Sequence, residues 1–95
     1  MEQPQQARWL QVLFPCTIRD ENGLHARPAG LLVRQAQALS SELTIECRGK
    51  SASLKKLLAV MGLGVRCGDL VRISAEGKSA EDDLAIIKEF LEKNF

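Results

Sequence analysis

The sequence predicts a two-layer α+β sandwich in the order β-α-β-β-α-β-α, with helices on one face of a sheet. Three observations predict it. Four short segments alternate apolar and polar residues, the period of a strand with one buried face. Three others space apolar residues by three and four, the period of an amphipathic helix. The chain has 95 residues, of which 45% are hydrophobic, enough for one core and not for two.

The elements follow in chain order. Leu10, Val12, Phe14, Cys16 and Ile18 alternate with Gln11, Leu13, Pro15 and Thr17, which predicts the first strand. Pro15 has no N–H for a ladder, so this strand belongs at a sheet edge. Asp20-Glu21-Asn22-Gly23 is a turn signal. Ala29, Leu32, Val33 and Ala36 then fall on one helical face, with Pro28 in the first turn, where a missing N–H costs nothing. Ser40-Ser41 ends that helix. Leu43, Ile45 and Cys47 mark a second strand. A tight Arg48-Gly49-Lys50 connection leads to a short third strand, Ser51 to Ser53. Leu54 to Leu63 is read as a short helix ended by Gly64, with Leu57, Leu58 and Met61 on one face. That face suits either a core stripe or a surface patch. After the turn Cys67-Gly68-Asp69, Val71, Ile73 and Ala75 form a fourth strand broken by Gly77. The last helix starts near Ala80, capped by Ser79, with Glu81, Asp82 and Asp83 at the positive end of its dipole. Its buried stripe is Ala80, Leu84, Ile87 and Leu91.

Composition excludes several functions. Thirteen basic residues against twelve acidic leave a formal charge of +1, without the basic excess of a phosphate-gripping nucleic-acid binder. The four aromatics, Trp9, Phe14, Phe90 and Phe95, make no stacking pair on adjacent central strands, so RNA readout is not expected. No apolar run approaches the roughly 20 residues of a membrane span. The three cysteines, Cys16, Cys47 and Cys67, are too widely spaced for a zinc site. They read as small buried apolar residues in a reducing compartment. Met1 to Arg8 is polar, glutamine-rich and unlike a signal peptide. A cytoplasmic chain is expected, with residues 1–8 as a leader and 9–95 as a single domain.

His25 is the chain's single histidine, between the turn and the first helix. A helix N-terminus offers free backbone N–H groups and a partial positive charge, which together suit an anion. Two readings stand on the residues alone. One is a surface or capping histidine without chemistry. The other is a phosphoryl carrier on a ring nitrogen, its oxygens met by the Ala26 and Arg27 N–H groups and by the forked guanidinium of Arg27. Nothing pairs a serine or cysteine with a base and an orienting acid, so acyl transfer is not expected.

Gly23-Leu24-His25-Ala26-Arg27-Pro28-Ala29 resembles the active-site signature of HPr, the histidine-containing phosphocarrier family of the bacterial phosphoenolpyruvate:sugar phosphotransferase system. Gly49 to Lys55, Met61 to Gly64 and Ile73 to Gly77 resemble further family segments in the same order. The likeness runs from about Val12 to Leu91. It implies an open-faced sandwich with a four-stranded antiparallel sheet, order 1-4-2-3, covered on one face by three helices. It implies that His25, through Nδ1, accepts a phosphoryl group from enzyme I and passes it to IIA domains of sugar-specific enzyme II. Arg27 then steadies the phosphohistidine and the transition state. Leu57, Leu58 and Met61 match the family's apolar docking patch, and Arg34 a basic rim. The resemblance implies a phosphohistidine carrier of transferase-type chemistry rather than an independent catalyst, and a monomer holding no metal or cofactor.

Two departures stand out. Many family members carry a regulatory serine after the lysine that matches Lys55, and here Lys56 stands there. No serine-switch control is therefore expected, and the rim gains positive charge. Residues 1–8 extend beyond the family's usual start, as a natural leader or the junction of a larger multiphosphoryl transfer protein. A regulatory interaction module, or a nitrogen-branch carrier, is the alternative. The retained His25, Arg27 and Pro28 weigh against a module without turnover, and Gly49 to Lys55 favours the sugar branch.

Overall fold

A computed structural model describes the backbone of residues 11–95 and the side chains of residues 17–95. The expected leader, the 8/9 boundary and Leu10 lie outside the described residues, as do the side chains of Val12, Phe14 and Cys16. The elements are β1 (Gln11–Thr17), α1 (Ala26–Gln37), β2 (Glu42–Cys47), β3 (Lys50–Ser53), α2 (Leu57–Met61), β4 (Leu70–Glu76) and α3 (Ala80–Asn94). The sheet runs β1-β4-β2-β3 with every neighbouring pair antiparallel. Side chains are described for the strands β4, β2 and β3, and β1 continues the sheet along β4 in backbone register. Pro15 lies opposite Arg72 on that outer strand, where a missing N–H interrupts no second ladder.

The period-two segments bury one face. Leu43, Ile45 and Cys47 of β2 and Val71, Ile73 and Ala75 of β4 are all buried, and Ile45 lies opposite Ile73. Ala29, Leu32, Val33 and Ala36 of α1 and Ala80, Leu84, Ile87 and Leu91 of α3 cover them. The other face carries Thr44, Glu46, Arg72 and Ser74, none of them buried. There Glu46 and Arg72 pair across the strands at 3.6 Å.

The hairpin between β2 and β3 turns on Arg48 and Gly49, both at positive φ (51° and 81°), as a two-residue connection requires. Arg48 is not a glycine, and its side chain compensates. The guanidinium pairs with Asp69 and donates to the carbonyls of Leu63 (3.0 Å) and Gly64 (3.1 Å). The hairpin is thus tied to the loop before β4. Hydrogen bonds from the Arg66 N–H and from Arg48 hold the Asp69 carboxyl below its ordinary value.

The structure corrects three local expectations. The middle helix begins at Leu57, not Leu54, because the Leu54 N–H bonds the Leu43 carbonyl (2.8 Å) and extends the sheet. Val60, on the opposite side from Leu58, is the fully buried residue of α2. Ser79 holds the N-cap position of α3 but makes no side-chain cap bond. Its hydroxyl meets Ser40 Oγ and Asp83 Oδ2 instead. Cys47 is buried, and burial pushes its thiol up, but Cys67 is exposed in its turn.

Asp83 is buried on α3 and accepts the Ser41 N–H at 3.0 Å and the Ser79 hydroxyl at 3.1 Å. Burial alone raises its carboxyl, but the hydrogen bonds from Ser41 and Ser79 prevail and hold it below 3.8. A carboxyl lowered by folding contributes stability above its unfolded value, lost as pH falls through the folded one. Asp83→Asn is expected to cost about 1–2 kcal/mol at neutral pH. The urea midpoints of variant and wild type should converge as the pH falls below the ordinary aspartate range, from roughly pH 4 downward. A gap unchanged across that window excludes the ionised carboxylate as its source.

Candidate functional site

The segment before α1 is built to present a side chain at the helix start. The Asn22 N–H donates to Asp20 Oδ1 (2.8 Å) and the Gly23 N–H to the Asp20 carbonyl (2.8 Å), closing a turn of the Asx type. The Asp20 N–H donates to the Phe95 carbonyl at 2.9 Å, so the turn rests on the end of α3. The Leu24 N–H bonds the Val65 carbonyl at 3.1 Å and Leu24 is buried. Both anchors lie ahead of His25, whose position is therefore set by backbone and core.

His25 is the N-cap of α1, in extended conformation with no side-chain cap bond. Its side chain is 41% exposed. The Ala29 N–H bonds the His25 carbonyl at 2.9 Å, opening the helical series. Helix geometry gives the Ala26 and Arg27 N–H groups no intrahelical acceptor, and Pro28 has no N–H to offer. An anion at this terminus would thus face two free backbone donors beside the imidazole.

Arg27 and Arg34 are both exposed, two turns apart on one face of α1. With Gly30, Leu31, Val33, Gln37 and Leu57 they line a shallow groove. Leu57 and Met61 are 36% and 37% exposed, and Leu58 is 83% exposed. The α2 face that fitted either a core or a surface is the surface one. Gln37 and Lys55 join α1 to the α2 entry, through Gln37 Nε2 to the Lys55 carbonyl (2.9 Å) and Lys55 Nζ to the Leu39 carbonyl (2.7 Å). The fold therefore brings Arg27, Arg34 and Leu57 to one groove, with Leu58 and Met61 on the same short helix. Lys56 is exposed at the α2 N-cap.

Two residues escaped the sequence reading. Asp20 Oδ2 lies 3.7 Å from His25 Nε2, near enough for its charge to act on the ring but too far for a hydrogen bond. Its signal was the aspartate opening a turn five residues before the histidine. Leu31 is 49% exposed and lies between Arg27 and Arg34 on their helix face. Its phase, off the Ala29-Leu32-Val33-Ala36 stripe, could have shown it. Among the described residues, no group of three or more His, Cys, Asp or Glu side chains could hold a metal. No helix there is long and apolar enough to cross a membrane.

A family model described as the PTS HPr component phosphorylation site matches residues 14–93. The phosphocarrier protein HPr of Mycoplasma genitalium is 40% identical over 82 residues, covering 85% of this chain and 93% of that protein. A solved Mycoplasma histidine-containing phosphocarrier protein superposes with a TM-score of 0.83 at 34% identity, over 86% of this chain and 93% of the other. An HPr dimer from Thermoanaerobacter tengcongensis gives 0.69 at 36% identity, over 82% and 90%.

Proposed function

The chain belongs to the HPr phosphocarrier family of the phosphotransferase system, and from that membership we propose that His25 takes a phosphoryl group from enzyme I and gives it to IIA domains of sugar permeases. The observation that carries this reading is His25 at the N-cap of α1, half-exposed beside the free N–H groups of Ala26 and Arg27. The lone pair of Nδ1 forms a bond to phosphorus as the donor's own bond to phosphorus breaks. The two N–H groups and the Arg27 guanidinium face the charge on the phosphoryl oxygens. Transfer onward reverses these steps, so the protein's contribution is position and electrostatics. Magnesium and phosphoenolpyruvate belong to enzyme I, and the carrier works in the cytoplasm as a monomer.

Docking falls to Leu57, Leu58, Met61 and Arg34. An exposed apolar patch beside a basic groove suits acidic partners with an apolar centre. Lys56 adds to the positive rim and leaves no serine there to modify. Leu58→Asp is expected to raise the KM for enzyme I about tenfold with kcat nearly unchanged, as for a central apolar contact. Lys56→Glu should raise it less, and more at low salt. Transfer kinetics unchanged in both variants would exclude this face from docking.

The test is intact-mass spectrometry after incubation with phosphoenolpyruvate and catalytic enzyme I. The expected result is a gain of one phosphoryl group that is lost in acid. No gain with a cognate enzyme I would leave the fold standing and turn the function to the alternative, a binding module.

A further inference from the structure

We propose that Asp20 is a positioning residue for phosphoryl transfer: its carboxylate keeps the proton of neutral His25 on Nε2 and so leaves the Nδ1 lone pair free to attack. The inference rests on the phosphocarrier reading and adds a residue to that site. Its two oxygens are divided between two tasks. Oδ1 accepts the Asn22 N–H at 2.8 Å and Oδ2 faces His25 Nε2 at 3.7 Å. The first contact fixes the carboxylate within the turn, and the second turns it toward the imidazole. Asp20 is itself anchored, through its N–H to the Phe95 carbonyl and its carbonyl to the Gly23 N–H. Its side chain is 24% exposed, partly shielded by the turn that it closes.

Chemistry gives this placement a consequence. A neutral imidazole carries one proton, and the nitrogen that holds it is set by the partner of the other. A carboxylate charge 3.7 Å from Nε2 favours the Nε2–H form through its field, without a formed hydrogen bond. Nδ1, the nitrogen nearer the histidine's own backbone, then keeps its lone pair. The preference also helps onward transfer. When the Nδ1–P bond breaks and its electron pair returns to Nδ1, a proton already on Nε2 lets neutral imidazole leave rather than an imidazolate anion. The carboxylate lies on the Nε2 side of the ring, away from the phosphoryl group, where its charge repels least.

Asp20→Asn separates this role from the turn. An asparagine Oδ1 still accepts the Asn22 N–H, but the other arm becomes an NH2 donor facing Nε2. The preferred tautomer should therefore invert. The experiment is two-bond nitrogen–proton NMR of imidazole-labelled protein, at a pH that keeps the ring neutral. It is run beside phosphoryl uptake from enzyme I for wild type and Asp20→Asn. The expected result is mainly Nε2–H in the wild type, a shift toward Nδ1–H in the variant, and uptake slowed about tenfold or more. The Asn22 and Gly23 amide resonances should hold in place. A wild type that is mainly Nδ1–H overturns the proposal without any variant. So does a variant with wild-type tautomer and rate. A wild type that takes up no phosphoryl group overturns the carrier reading instead, and the transfer role with it.

Discussion

His25→Ala is expected to remove phosphoryl acceptance entirely and to leave the fold within about 1 kcal/mol of wild type. The two halves of this expectation have separate causes. The chain has one histidine, so no second imidazole can take over. The fold is spared because the side chain is 41% exposed and makes no cap bond. Truncation forfeits only the 3.7 Å approach to Asp20 at the surface, worth about 0–1 kcal/mol. The His25 carbonyl, which accepts the Ala29 N–H, is backbone and survives. Intact mass after exposure to enzyme I checks the first half, and a thermal melt the second. A variant that still gains an acid-labile phosphoryl group moves the carrier elsewhere. One that unfolds shows His25 to be structural.

Gly23→Ala is expected to cost about 2–4 kcal/mol and to lower the melting temperature by roughly 10–20 °C. Gly23 has a φ of +65°, and an added Cβ would lie 2.4 Å from the Val65 carbonyl oxygen and 2.7 Å from Arg66 Cα. Both obstacles are backbone, so no side chain can swing aside. Relief requires the 20–24 turn to move off the 65–66 loop, and that movement breaks the Leu24-to-Val65 hydrogen bond. His25 follows that turn directly. The variant should therefore lose transfer rate even where it remains folded, at a temperature well below its melting point. Gly30→Ala is the control, because nothing lies within 4 Å of a Cβ there. A Gly23→Ala protein as stable and active as Gly30→Ala would refute the close-approach argument.

Most of the architecture was legible because it rests on local pattern. The alternation in β2 and β4 and the stripes of α1 and α3 name the buried residues correctly, since each strand or helix has one face for the core. The middle segment was harder. Leu54, Val60 and Leu63 are the buried residues there, while Leu57, Leu58 and Met61 are exposed. A five-residue helix is too short for its period to say which side faces inward. The resemblance to a family named the patch, but residue spacing did not. Ser79 illustrates a different failure. Its sequence fits a cap, yet its hydroxyl is drawn to Ser40 and Asp83, partners 39 residues upstream and one turn ahead.

By itself the sequence determined the class of fold, the order of its elements, the core faces and the histidine at a helix start. These depend on side-chain period, turn chemistry and a run of seven residues. Only the tertiary structure decided that α2 turns its leucines outward and that Arg27, Arg34 and Leu57 share one groove. It also set Asp20 against the Nε2 of His25. The physical reason is the same in each case. Contacts between elements depend on how helices settle on the sheet and how loops close over one another, and no single segment encodes that distance.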